Sequence, residues 1–156
     1  MKRLLPFSVV IACALVTVGA SAQHAGVHQV ISPQDLKWVA LPELPPGGQV
    51  AVVFGDPGKP AVFAARLKAP KGYHVPPHTH PKQEVVTVIS GSIRVGFGAT
   101  ADRTQTKLLS AGGVFIAEPG HAHYVYVEED AVLQANGMGP FTTDYVNPAD
   151  DPRRKK

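Results

Sequence analysis

The residues of this sequence with the clearest chemical potential are its histidines. Five of the seven fall in two short stretches, so they are not scattered structural residues. The first stretch runs Gly72-Tyr73-His74-Val75-Pro76-Pro77-His78-Thr79-His80-Pro81-Lys82-Gln83-Glu84, and the second is His121-Ala122-His123. Side chains alternate along a strand, so His78 and His80 share a face, and Glu84, Val86 and Val88 keep the same parity. A strand face carrying His, His, Glu, Val and Val fits the wall of a pocket, polar at its mouth and apolar deeper in. Two neutral imidazoles and a carboxylate converging there form a ligand set for a first-row transition metal, with positions left for substrate or dioxygen. His123 could add a third imidazole from a neighbouring strand, where Val125 and Val127 share its facing. This mixed nitrogen and oxygen set suits Fe(II), Mn(II), Ni(II), Cu(II) or Zn(II) without choosing among them. The plainer alternative is a set of satisfied structural histidines.

Other chemistries leave no trace. There is one cysteine, Cys13, and no nucleophilic serine motif, phosphate-cradling glycine loop or dinucleotide fingerprint. His74 reads as a pocket-edge or surface residue and His121 as a loop residue ahead of its strand. His24 and His28 carry almost no signal. Arg66 reads as a surface ion-pairing residue, with pairing to an anionic substrate as the sharper option. Tyr73, Tyr124 and Tyr126 flank the ligands, and a phenol there could donate a proton, although packing is the simpler role. Phe63, Phe97, Phe115 and Phe141 are expected in the core, and Trp38 as an N-terminal anchor.

The elements that must position these residues are short strands. A chain of 156 residues fits one domain. Its 15 Gly and 15 Pro exceed the usual background and follow no repeat, so they act as turn punctuation. Strands are expected over 49–55, 61–68, 84–90, 92–97, 104–109, 113–117, 123–128 and 131–136, each bounded by turn residues. Such a series, with almost no helical periodicity, means an all-β sandwich or barrel. Ser32-Pro33-Gln34-Asp35 reads as a helix start, cut to about one turn by the prolines that follow.

The ends read differently. Met1-Lys2-Arg3, an apolar run to Gly19 and Ala20-Ser21-Ala22 have the form of a secretory signal peptide cleaved before Gln23. A membrane anchor and a lipoprotein built on Cys13 are the competing readings. Cleavage removes residues 1–22 and the cysteine, so no disulfide or thiolate ligand is available. It also removes Lys2 and Arg3, leaving 13 of the 15 Lys and Arg against 12 Asp and Glu. Four of those cations are Arg153, Arg154, Lys155 and Lys156, in a stretch over 148–156 that reads as a flexible, solvated basic tail. The body is therefore slightly acidic, and no nucleic-acid partner is expected. An N-terminal extension over 23–40 and a folded domain over 41–147 complete the division.

Two motifs carry a family resemblance. Gly72-x5-His78-x-His80-x3-Glu84-x6-Gly91 resembles the first cupin motif at every specified position. Gly112-x5-Glu118-x-Gly120-x2-His123 resembles the second, with Glu118 where proline is usual and Val127 where asparagine is usual. The resemblance implies a single jelly-roll β-barrel over about Leu41 to Asn147 with a short N-terminal helical turn. It assigns His78, His80, Glu84 and His123 as ligands of one divalent transition metal. Glu84 could also shuttle a proton. Glu118 reads as an exposed loop acid or, more sharply, as a carboxylate orienting an imidazole. The implied function is a metal-dependent enzyme acting on a small molecule, dioxygenase-like, with a non-catalytic periplasmic binder of metal or ligand as the alternative. A homodimer, export to the periplasm or beyond, and no membrane attachment after cleavage complete the expectations.

Overall fold

The computed structural model describes residues 28–154. The expected signal peptide, Cys13, the start at Gln23, His24 and Lys155-Lys156 lie outside those residues. All that follows belongs to the unit that begins at Ile31.

Two long strands organise the fold. β4 (Glu84–Phe97) and β7 (His123–Met138) run antiparallel from the pair Glu84 and Gly137 to the pair Phe97 and His123. On its other side β4 pairs first with β6 (Val114–Ala117) and then with β5 (Lys107–Ser110). β7 pairs first with β3 (His74–Thr79) and then with β2 (Val62–Ala69). β1 (Gln49–Phe54) continues outward from β2, and β8 (Asp144–Tyr145) from β3. Two five-stranded antiparallel layers thus share both long strands, which is a jelly roll. Their facing sides bury Val86, Val88, Ile93 and Val95 from β4 with Val125, Val127 and Leu133 from β7.

The breaks expected after Ser90 and Glu128 are bends within continuous strands. The register shifts three times between Val88 and Ile93, and Gly91 adopts φ +75°. The inward phase changes there: even-numbered Val86 and Val88 are buried before the bend, odd-numbered Ile93 and Val95 after it. An inserted residue in a ladder does this, and it re-aims the strand into the second layer. A side chain at Gly91 would collide with the carbonyl oxygen of Asp130 in the bend of β7.

Several other expectations change. β5 starts later than expected, at Lys107. Asp102 accepts a hydrogen bond from the Thr104 N–H at 2.8 Å, capping a 3-10 turn over Arg103–Gln105. Phe97 keeps the inward phase but ends β4 at the rim, so it is 56% exposed instead of core. The stretch read as a solvated tail is folded through Arg154, in 3-10 turns over Pro148–Asp150 and Pro152–Arg154. Arg153 causes this, donating to buried Asp151 at 2.8 Å and to the Thr143 carbonyl at 3.0 Å. The helix start holds as one 3-10 turn, Pro33–Asp35, with Asp35 accepting from the Ser32 N–H at 2.8 Å. Among the described residues no helix is long and apolar enough to cross a membrane.

Replacing Gly91 with Ala combines a left-handed backbone with a collision against fixed main chain. The Gly91→Ala protein is expected to lose on the order of 2–3 kcal/mol of unfolding free energy in urea titration. An unchanged midpoint would show that the bend tolerates a side chain.

Candidate metal centre

The first histidine stretch folds less simply than its parity implies. His74 pairs with Tyr126, and Val75 with Val125, but the register slips before His78 pairs with His123. Pro76 and Pro77 fill that gap and lack the N–H a regular ladder needs. The slip separates two residues of equal parity. His74 points away from the core and stacks on Tyr126 at 4.3 Å and 5°, whereas His78 turns inward. His80 lies just beyond β3, and Pro81-Lys82-Gln83 carries the chain to Glu84, the first residue of β4. The single strand read from the sequence is thus a strand, a turn and a second strand.

The barrel nevertheless brings the three histidines together, with Glu84 beside two of them. His78, His80, Glu84 and His123 are only 5%, 4%, 8% and 1% exposed. One ring nitrogen from each histidine lies within 4.8 Å of the others. One Glu84 oxygen, Oε2, lies 3.4 Å from Nε2 of His80 and 3.5 Å from Nε2 of His123. Backbone carbonyls hold two of the rings. Nδ1 of His78 lies 2.8 Å from the Pro76 oxygen, and Nδ1 of His80 lies 2.7 Å from the Thr142 oxygen. A carbonyl only accepts, so each Nδ1 bears the proton, and Nε2 carries the lone pair when the ring is neutral. Nε2 of His80 and Nδ1 of His123 are buried without a hydrogen-bond partner. The convergence of three ring nitrogens beside a buried carboxylate fits a cation bound among them.

Charge is distributed unevenly. Burial pushes the His78 pKa down to about 3, and repulsion from His123 and His80 adds to the fall. Burial also disfavours charge on His80, but Glu84, the Thr142 carbonyl and Asp144 together raise its pKa above the ordinary imidazole value. Burial alone would raise Glu84; the His123 and His80 rings outweigh it and hold the carboxyl well below the usual range. In the metal-free site Glu84 and His80 thus each favour the charged form of the other, whereas burial favours the neutral form of His78.

These groups form one end of a cavity of about 170 Å³. Val86, Phe115, Val125, Val127 and Leu133 line the remainder, with Leu41 and Leu44 among the lining residues from the N-terminal segment. Tyr73 and Tyr145 hydroxyls donate to the Pro45 and Glu43 carbonyls of that segment at 2.8 and 2.9 Å.

The other expected residues fall into place individually. His121 is exposed. Glu118 accepts from Gln83 Nε2 at 3.0 Å at the surface and orients no imidazole. Arg66 donates from Nε to Gln134 at 3.1 Å and makes no ion pair among the described residues. Tyr124 donates to the Asp102 carbonyl, so Tyr73, Tyr124 and Tyr126 all serve packing. Trp38 takes Lys68 over its ring at 4.9 Å. Sequence reasoning missed Thr142, whose carbonyl orients His80, and the stacking of Phe141 on His80 at 4.3 Å. A backbone carbonyl has no sequence signature, and the span from His80 to Thr142 hides the contact.

The cupin family model matches residues 57–136. Germin-like protein 1-1 of Oryza sativa subsp. japonica is 41% identical over 80 residues, covering 51% of this chain and 33% of that protein. Germin-like protein subfamily 2 member 2 of Arabidopsis thaliana is 42% identical over 65 residues, covering 41% and 30%. The chain spans about a third or less of the length of these curated relatives. Among solved structures, the polyketide cyclase RemF from Streptomyces resistomycificus aligns with TM-score 0.67 and 16% identity, over 81% of this chain and 90% of that one. KdgF from Halomonas sp. aligns with TM-score 0.59 and 20% identity, over 70% and 94%. At these identities the likeness to the solved structures is one of fold.

The depressed His78 pKa makes the metal-free protein sensitive to acid. Between about pH 6.5 and the folded value near 3, unfolded His78 binds a proton that the folded residue refuses, so stability falls as pH drops. Glu84 adds to the loss below its ordinary range. His80 acts oppositely, contributing stability that is lost above the usual imidazole range. Urea titrations of metal-free protein from pH 6 to 4 are expected to show a slope shallower by up to about 1.4 kcal/mol per pH unit in His78→Gln than in wild type. Equal slopes would show that His78 titrates normally in the fold.

Proposed function

This chain belongs to the cupin family, and from that premise we propose that it is a metal-dependent enzyme acting on a small molecule, an oxidoreductase of the dioxygenase kind. The observation that carries this reading is the convergence of one ring nitrogen from each of His78, His80 and His123 within 4.8 Å, beside the buried Glu84 carboxylate. His78, His80, Glu84 and His123 would hold the ion, and Fe, Mn, Zn, Ni and Cu all suit that donor set. A bound ion of this kind would supply a Lewis acid with open positions for substrate or dioxygen.

The chain's own residues prepare the site for that ion. The Pro76 and Thr142 carbonyls fix the tautomers of His78 and His80. Glu84 lowers the net charge of the centre and is the one carboxylate of the site available to accept a proton. Val86, Val125 and Val127 exclude water from the cavity, which strengthens every electrostatic interaction inside it.

A second reading, a non-catalytic binder of metal or ligand in the periplasm, draws on a specific observation. Tyr73 is the tyrosine that lines the cavity, and its hydroxyl is committed to the Pro45 carbonyl, so that phenol is not free to act as an acid. Turnover separates the two readings: oxygen consumption or a transformed product supports the enzyme, and saturable stoichiometric binding alone supports the binder.

Export is proposed from the charged start, apolar run and A-x-A pattern of residues 1–22. A homodimer is proposed with support from one outer sheet face, where Phe54, Val62, Val114, Ile116 and Met138 are 44–56% exposed together. Intact mass and light scattering on exported protein are expected to give residues 23–156 and twice the monomer mass. A retained Met1, a lipidated Cys13 or a monomer at working concentration would count against the respective part.

Protein exported without an affinity tag is expected to carry about one transition-metal ion per chain by elemental analysis. His78→Ala, His80→Ala and His123→Ala should each weaken binding severely, by about tenfold or more, and His74→Ala and His121→Ala only slightly. Affinity should fall as pH drops through the ordinary imidazole range near 6.5, because the ion competes with protons for the rings. Near-normal occupancy in His123→Ala would remove that residue from the ligand set.

A further inference from the structure

We infer that the cavity takes a small, uncharged or singly ionised molecule with an apolar body about the size of one six-membered ring, its one polar end directed at the histidines. This rests on the metal-dependent reading above and names its substrate class. The first argument is size. The cavity measures about 170 Å³, and a dry, apolar cavity of about 150 Å³ is enough to bind benzene. A single ring therefore matches its volume.

The second argument is the character of the wall. Beyond the histidine end the lining is mostly aliphatic and aromatic: Val86, Val125, Val127, Leu133 and Phe115 carry no polar side-chain atom, the Tyr73 hydroxyl is spent on the Pro45 carbonyl, and Thr143 adds one further hydroxyl. A ligand body seated against those five apolar side chains has no hydrogen-bond partner in them and must itself be apolar.

The third argument is charge. Apart from the histidines and Glu84, two lining residues are charged or chargeable at neutral pH, Arg66 and Glu43. Arg66 stands opposite Gln134 in the ladder between β2 and β7, and its Nε donates to that side chain. Gln134 follows Leu133, whose side chain is in the core, so strand alternation turns Gln134 and Arg66 to the outer face. The guanidinium is therefore unavailable to a bound anion. Glu43 is an acid and disfavours anions. A divalent ion with the Glu84 carboxylate leaves one net positive charge, which a single negative charge on the ligand neutralises. A second would be buried without a partner, at heavy cost. Small dicarboxylates such as oxalate are excluded on this ground even though they would fit by volume.

The test uses full-length exported protein and titration calorimetry, in which nothing needs to turn over. Zinc-loaded protein receives catechol, oxalate or 2,3-dihydroxynaphthalene, and metal-free protein receives toluene, with zinc content measured after each titration. Catechol is expected to bind at least about tenfold more tightly than oxalate and than the fused-ring diol, and toluene to bind metal-free protein saturably at one per chain. Oxalate binding as tightly as catechol, the fused-ring diol binding equally well, or toluene failing to bind would each overturn the inference. A protein that holds no zinc would instead overturn the metal reading, and the toluene titration would still decide the character of the cavity.

Discussion

The buried carboxylate of Glu84 is the constraint on which the rest of the site depends. An isolated charge taken out of water costs several kcal/mol, so the fold must supply partners where Glu84 sits. It supplies His80 and His123, both within 3.5 Å of Oε2. A ring is a useful partner only if its lone pair and its proton face the right ways, and that is set from behind by a carbonyl. The Thr142 carbonyl does this for His80, and Phe141 stacks on the same ring. The segment carrying both is held in turn by Arg153, which donates to the Thr143 carbonyl. A stretch that looks like a charged tail in the sequence therefore stands three contacts from the carboxylate it helps to place.

The barrel meets this demand through the bends of β4 and β7. Because both strands cross from one layer to the other, the start of β4 and the start of β7 can lie in different parts of the ladder and still face the same interior. Glu84 pairs with Gly137 and His123 with Phe97, far apart in register, yet their side chains are in contact range. A flat sheet would keep such residues apart. Gly91 makes the bend possible, so a residue with no part in the chemistry fixes where the chemistry can occur.

The candidate ligands and the fold class were legible because both are written in short-range spacing. His78, His80 and Glu84 stand two and four residues apart, Gly and Pro bound the strands, and Val86, Val88, Val125 and Val127 alternate. The reasoning by parity picked out residues that the fold buries close together, but by an incomplete route. Uninterrupted alternation would have turned His74 inward with His78, but the slip at Pro76 and Pro77 separates them. The long strands were read as pairs of short ones because Gly91 and the acidic run near Asp130 signal turns, and a bulged bend uses the same residues as a turn. Thr142, β8 and the order of the C-terminal segment were illegible for a different reason. They depend on contacts between residues tens of positions apart, and no local pattern marks them.

The same contacts limit what Glu84 can do. A carboxylate held well below its ordinary pKa by the His123 and His80 rings that hydrogen-bond it is a weak proton acceptor at neutral pH, because acceptance must first overcome the interaction that keeps it ionised. Its two expected roles, completing the cation site and moving a proton, therefore oppose one another while it remains seated between His80 and His123. The tyrosines offer no relief, since Tyr73 and Tyr145 spend their hydroxyls on the N-terminal segment, and burial raises the pKa of both, Tyr145 to about 12. A proton reaching Glu84 would remove the charge that pairs it with His80 and His123 and so weaken its seat between the two rings.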